Sequence, residues 1–201
     1  MKVFAISILL RSSQGTAKVL AVETDLSTFS FFQRGSVQEF MGFFSVTAAE
    51  RTQPGVRQKI ESDNYVGNVY TRVDGLSAVM ITDGEYPTRV AFSALNRLLE
   101  EFAGRFPQSQ WASLTPAQTQ PAYPELKTHL QTFQNPEGAD PFLRVQRELD
   151  DTKIVLHKTM QTLLERGEKL DDLVAKSDQL STQSKVFFKA AKDNNKCCSY
   201  L

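Results

Sequence analysis

The first hundred residues switch between two hydrophobic periods. Val3–Leu10 is apolar at every position but Ser7, which predicts a buried β-strand. Val19–Leu26 predicts a second strand, with a turn over Ser12–Gly15 between them. In "SVQEFMGFFSVTAAE" the period lengthens: Val37, Phe40, Met41, Phe44 and Ala48 recur at helical spacing, and Ser36 with Glu39 makes an S-x-x-E capping box that sets the helix start at Ser36. Strand patterns resume over Arg57–Asp63, Tyr65–Val73 and Leu76–Thr82, with Asp74-Gly75 as the hairpin signal between the last two. Pro87 opens a second helix with Val90, Ala91, Ala94, Leu95, Leu98 and Phe102 on one face, and Pro107 ends it. The order β-β-α-β-β-β-α fits an α+β fold: a five-stranded antiparallel sheet with helices on both faces.

The region from Pro107 to Pro141 holds six of the eight prolines and reads as linker, interrupted by a short helix near Pro124–Phe133. Asp140 and Pro141 then have the chemistry of an N-cap and a first helical residue. From there to Lys192 a stepwise three-four spacing picks out Phe142, Val145, Leu149, Thr152, Leu156, Thr159, Leu163, Arg166, Leu170, Leu173, Ser177, Leu180, Ser184, Phe187, Ala191 and Asn194. Ten of these sixteen are apolar, which predicts one long coiled-coil helix of ~80 Å. Such a rod is too long to fold back straight on the preceding domain. Alone, a seam this rich in Thr and Ser is expected to be disordered or only partly helical.

Arg166 sits mid-seam. An unpaired charge in a coiled-coil core costs several kcal/mol, so it needs acceptors from partner helices at its own level. Such a layer fixes register and partner choice. The other reading is an arginine snorkelling at the edge of an ordinary two-stranded coil.

Charge and composition narrow the function classes. With 23 basic and 23 acidic side chains the net charge is zero, which excludes a general electrostatic grip on nucleic acid. The apolar N-terminal run follows a lysine as in a signal peptide, but no small-x-small cleavage site follows, so a strand is expected. No run approaches the ~20 apolar residues of a membrane span. The two cysteines, Cys197 and Cys198, do not make a disulfide framework, and a reducing, cytosolic setting is expected. His129 and His157 have no ligand spacing with them, so neither a metal site nor a Cys–His nucleophile is expected. There is no phosphate-binding loop and no catalytic triad signature, and no cofactor or catalytic residue is assigned. Phe43 falls at the flank of the first helix's apolar face. Exposed, it marks a docking surface; otherwise it packs under a neighbouring loop.

"LLERGEKLDDLVAKSDQL" with its central arginine, followed by "TQSKVFFKAA", resembles an R-SNARE motif. "FSFFQRGSVQEF" and "DGEYPTRVAFSAL" resemble a longin (profilin-like) domain. Together, over essentially the whole chain, they resemble the prenylated longin-domain R-SNAREs, lipid-anchored relatives of synaptobrevin. The resemblance implies a longin domain over 1–135, a linker over 136–141, an R-SNARE motif over 142–195 and a lipidated tail over 196–201. It makes Arg166 the ionic-layer arginine that meets three glutamines. Leu163 and Leu170 become its sealing layers, and Phe142, Val145, Leu149, Leu156, Leu173, Leu180, Phe187 and Ala191 further bundle layers.

Cys198-Ser199-Tyr200-Leu201 has C-a-a-X form, which makes Cys198 a prenyl acceptor. A terminal leucine favours geranylgeranyl, whereas the resembled family carries farnesyl. One lipid anchors only marginally, and Cys197 is placed for a second, a palmitoyl or a second prenyl group in the resembled family. Lys185, Lys189, Lys192 and Lys196 precede the tail and add attraction to anionic lipid.

The implied function is vesicle docking and fusion through a four-helix bundle in ER–Golgi, intra-Golgi, endosomal and vacuolar transport. The implied partners are three Gln-type SNARE helices, a disassembly ATPase with its adaptor, a prenyltransferase and the membrane. A contact within the chain at Phe43, holding the SNARE segment, its lipid or both against the longin domain, would keep a closed cytosolic form, the open form working on the cytoplasmic face of Golgi, ER-derived and endosomal or vacuolar membranes. A rival reading is a prenylated tether without fusion activity, which gains nothing from a buried central charge. Self-acylation at Cys197, attributed to the family, has no catalytic constellation behind it.

Overall fold

The computed structural model describes residues 1–62, 65–136 and 153–197, the last seven as backbone only. Its first half follows the hydrophobic pattern. Strands β1 (Val3–Arg11) and β2 (Ala17–Thr24) form a hairpin, followed by helix α1 (Phe31–Arg51). Strands β3 (Arg57–Ser62), β4 (Tyr65–Thr71) and β5 (Leu76–Asp83) come next, and helix α2 (Thr88–Arg105) closes the unit. The sheet order is β2-β1-β5-β4-β3, and every one of these pairings is antiparallel.

β1 explains how a nearly uninterrupted apolar run serves two faces. Its register slips between Val3 and Ala5 against β5, and between Ile8 and Leu9 against β2. Val3, Ile6 and Ile8 therefore pack under α2, with Leu76, Ala78 and Met80 of β5. Phe4, Ala5 and Leu9 pack under α1, with Val79 and Ile81. Gly67 of β4 lies directly under the Phe44 ring, where any Cβ would overlap it, so α1 approaches the sheet closest there. At the β4–β5 hairpin Gly75 takes φ +87, a left-handed conformation that favours glycine.

α1 begins at Phe31, five residues before the expected Ser36. Ser30 and Gln33 repeat the capping spacing further upstream, and the Ser30 hydroxyl donates to Gln33 Oε1 at 2.9 Å. Ser36 is buried within the helix instead.

The proline-rich stretch is core rather than linker. It forms a 3-10 turn (Gln108–Gln110) and helices α3 (Pro116–Ala122) and α4 (Glu125–Thr132). Three of its prolines sit where helical turns start: Pro107 caps the 3-10 turn, Pro116 is the first residue of α3 and Pro124 caps α4, while Pro121 lies inside α3. Trp111, Tyr123, Leu126, Leu130 and Phe133 join the α2-side core. Polar clips fix them. Tyr86 donates its hydroxyl to the Phe133 carbonyl at 3.0 Å, and Arg105 forks onto Glu125 at 2.6 Å. Gln134 brackets Val3, accepting from its N–H and donating to its carbonyl.

The sheet has a sixth strand, not five strands. β6 (Ile154–His157) adds in parallel to the β3 edge, pairing Arg57 with Ile154 through Ile60 with His157. It comes from the region whose spacing predicts helix, and it makes the sheet mixed.

Candidate functional site

Residues 153–197 do not form one rod. After β6 come a 3-10 turn (Met160–Leu163), helix α5 (Leu170–Lys176) and helix α6 (Thr182–Cys197). Each break has a local cause. Thr159 caps the 3-10 turn by accepting from the Thr162 N–H. Gly167 takes φ +97, outside helical space. Ser177 and Ser181 each turn a side-chain oxygen on a backbone N–H two or three residues ahead, of Gln179 and Ser184. Over 153–197 the segment is thus only partly helical in the chain alone, because contacts with the preceding domain outweigh helical propensity, and the single coiled-coil helix is not its form here.

The seam residues divide in an informative way. Leu163 and Leu180 are buried against the domain, Ser184 is buried beside them, and Leu170, Leu173 and Phe187 are half-buried on the same cluster. Arg166 points to solvent, and Leu156, in β6, is 53% exposed. Phe142, Val145, Leu149 and Cys198 lie outside the described residues, while Ala191 and Cys197 belong to α6 as backbone. Residues off the seam do as much. Met160 and Val174 are buried, and Phe188 stacks on Phe40 of α1 with centroids 5.1 Å apart. The pair Phe187-Phe188 was the available signal: a helix presenting adjacent aromatics has more apolar surface than a two-position seam uses.

Phe43 is 4% exposed, which decides between the two readings of its place in favour of the packed one. α1 is enclosed by the sheet on one side and the C-terminal segment on the other. That is why Val37, Met41, Phe43, Phe44, Val46, Ala48 and Ala49 are all buried, as in a helix apolar around most of its girth. Phe43 and Phe40 contact at 6.0 Å, and Phe40 passes the contact to Phe188.

Two polar clasps flank this aromatic contact. Glu39 Oε2 accepts the Ser181 N–H at 2.7 Å, satisfying a free donor at the start of α6. At the far end of α1, Arg51 bridges to Glu168 at 2.7 Å, both side chains being partly buried. Glu168 is held in turn, its carbonyl accepting from Gln161 Nε2 and its carboxylate from the Glu165 N–H.

Comparison with known families decides what this arrangement belongs to. The longin model, described as a regulated-SNARE-like domain, matches residues 26–130, and the synaptobrevin model matches 142–199. The synaptobrevin homolog ykt6 of Schizosaccharomyces pombe is 52% identical over 198 residues, 98% of each chain. The homologs of Yarrowia lipolytica and Saccharomyces cerevisiae are 48% and 46% identical over the same coverage. The chain belongs to the longin-domain R-SNAREs. As an R-SNARE it works in vesicle traffic with other SNARE helices as partners, without enzymatic chemistry. Among the described residues no helix is long and apolar enough to cross a membrane. No three His, Cys, Asp or Glu side chains among them converge on a point.

In this R-SNARE the longin domain and the SNARE segment therefore share one apolar cluster. Met160, Leu163, Val174 and Leu180 are the fully buried apolar side chains that the described segment contributes. The docking is accordingly displaceable, and single clasps matter. The Ser181 N–H, and after it the Ser184 and Ser181 hydroxyls, hold the Glu39 carboxyl below the usual carboxylate range. A group depressed on docking stabilises the docked state above its free pKa, and that stability is lost as pH falls through the docked value. Glu39→Gln is expected to speed amide exchange across 181–190 at neutral pH while leaving β1 and β5 protected. In the unsubstituted chain the same loosening is expected only on acidification below the usual carboxylate range. Hydrogen exchange with residue resolution checks both.

Proposed function

We propose that this R-SNARE is autoinhibited by its own longin domain, and that opening frees residues 142–195 for a parallel trans bundle with three Gln-type helices. The observation carrying this is the double use of one set of side chains. Leu163, Leu170, Leu173, Leu180, Ser184 and Phe187 are seam positions by spacing and docked positions in the fold. They cannot face partner helices and α1 together. Arg166 is left in solvent, so the closed form avoids burying a charge that only three glutamines would satisfy. Phe142, Val145, Leu149, Leu156 and Ala191 complete the layers on bundle formation.

The tail supplies the pulling point in place of a membrane-spanning helix. Cys198 takes the prenyl group and Cys197 the second lipid, as their C-a-a-X setting supports. Zippering toward α6 then draws the anchored membrane against the partner's, and an ATPase with its adaptor recycles the bundle. Traffic between ER, Golgi, endosome and vacuole is the setting this reading favours. The test is assembly. The full chain and a 138–196 peptide are mixed with Gln-type SNARE helices and followed by circular dichroism. The peptide is expected to assemble cooperatively in fixed stoichiometry, and the full chain at least ten-fold more slowly. Equal rates would remove autoinhibition; no stoichiometric complex from either would favour the tether reading.

A further inference from the structure

The N-terminal tip of α1 has no role in the closed form. Phe31 and Phe32 are 79% and 87% exposed, and their rings meet edge-to-face at 5.8 Å with no other element over them. Two adjacent, nearly bare aromatic rings on a rigid helix contribute nothing to the core, and water penalises them. Elsewhere on α1 the aromatics are used: Phe40, Phe43 and Phe44 all belong to the docked cluster.

The electrostatic setting of the pair is one-sided. From Leu26 to Gln38 the only charged residue is Arg34. Its guanidinium donates to the carbonyls of Phe29 and Ser27 and forms no ion pair among the described residues, so its charge stands uncompensated. Of the acids on either side, one is ion-paired and the other, still charged, lies a further turn along α1 and is turned to α6. Asp25 is bridged by Lys2 at 2.8 Å, and Glu39 is taken by Ser181. The tip therefore combines protruding apolar rings with net positive charge. A protein groove would suit the rings, but it gives no reason for an acid-free surround. An anionic bilayer suits both: phenylalanine rings settle at the headgroup–acyl boundary, and a nearby arginine finds lipid phosphate.

We propose that Phe31, Phe32 and Arg34 form a membrane-contacting tip, through which the longin domain itself sits on anionic lipid. The tip lies roughly 14 Å along α1 from Phe40, given a rise of 1.5 Å per residue. Phe40 is where α6, the helix that ends at Cys197, crosses. Tip and anchor helix thus hang on the same rigid element, and a domain seated by its tip is held at the surface before any lipid on the tail contributes. The contact does not depend on autoinhibition, since both rings are exposed with the SNARE segment docked.

The experiment uses the full chain with Cys197→Ser and Cys198→Ser, so that no lipid is attached, in sedimentation with phosphatidylcholine vesicles with or without one-quarter phosphatidylserine. The unsubstituted tip is expected to bind the serine-containing vesicles and to release at high salt. Phe31→Ser with Phe32→Ser is expected to lower the partition coefficient at least ten-fold. Arg34→Gln is expected to lower it several-fold on anionic vesicles only. Trp111 fluorescence, reporting the opposite core, checks that the variants stay folded. The proposal is overturned by absent vesicle binding with the tip intact, or by equal binding of the double variant. It is also overturned if the substitutions abolish self-association in sedimentation velocity while vesicle binding persists, which would make the tip an interface between copies. A prenylated chain whose double variant moves more onto membranes would overturn it too, since the rings would then be a cover for the chain's own lipid.

Discussion

Phe43→Glu is expected to eject residues 153–197 from the longin domain. The native ring is 4% exposed, and a carboxylate in its place has no partner within the cluster. Leaving it buried costs several kcal/mol, whereas releasing the segment returns that face of α1 to water. Release is the cheaper response, because the docked segment is held by few buried side chains. The chain should expand in sedimentation and light scattering, lose amide protection over 154–190, and, if lipidated, shift toward the membrane fraction. Trp111, the only tryptophan, belongs to the α2-side cluster and so separates release from collapse of the domain. Its emission should stay that of the unsubstituted chain. An unchanged hydrodynamic size would show that Phe43 does not gate the segment.

Arg166→Leu should have opposite effects in the two states. In the closed form Arg166 is exposed, so the chain's own stability is expected to move by no more than about 0.5 kcal/mol. In the bundle proposed above it faces three glutamines. Removing the shared donor leaves buried amides unpaired at about 1–3 kcal/mol each, so complex stability should fall by at least a hundred-fold in apparent affinity. Register should also loosen, since a leucine layer tolerates its neighbours in several alignments. Thermal melts of chain and complex measure both arms. If partner choice and register survive the substitution, the central-layer reading of Arg166 is wrong.

The sequence made most of the longin domain legible and hid how it ends. Strand and helix periods located β1 to β5 and α2: α2 buries one face against the sheet, and the apolar runs of β1 and β5 mark strands buried on both faces. α1 was harder. It is enclosed on two sides, so its apolar positions are not confined to one stripe, and Phe43 reads as a flank residue although it is buried. Residues 107–136 were obscured by prolines, of which Pro107, Pro116 and Pro124 mark starts of helical turns rather than loops. Trp111, Tyr123 and Phe133 in that stretch were the signal that it belongs to the core.

The C-terminal segment shows the limit of periodicity most plainly. Its three-four spacing describes a helix that faces other helices, and the tail of that pattern, Thr182 onward, is helical here too. Over Ile154–His157 the β3 edge offers hydrogen bonds to β-branched residues, and strand wins. Around Gly167 the chain must turn to bring Glu168 to Arg51. On the proposed account one sequence encodes two structures, and the polar seam residues that weaken a rod, Thr159, Ser177 and Ser184, are the residues that cap, turn or fill the docked form.

The central claim is that docking on the longin domain and entry into the bundle exclude each other. A distance between α1 and α6 tests it most directly. Gln38 and Lys189 are both exposed, and replacing each by a spin-labelled cysteine, with Cys197 and Cys198 changed to serine, leaves the cluster intact. Pulsed electron resonance should give one short, narrow distance for the free chain. On addition of three Gln-type helices that population should be replaced by a long, broad one, in proportion to bundle formed. A short distance that persists unchanged within the assembled bundle would contradict the account.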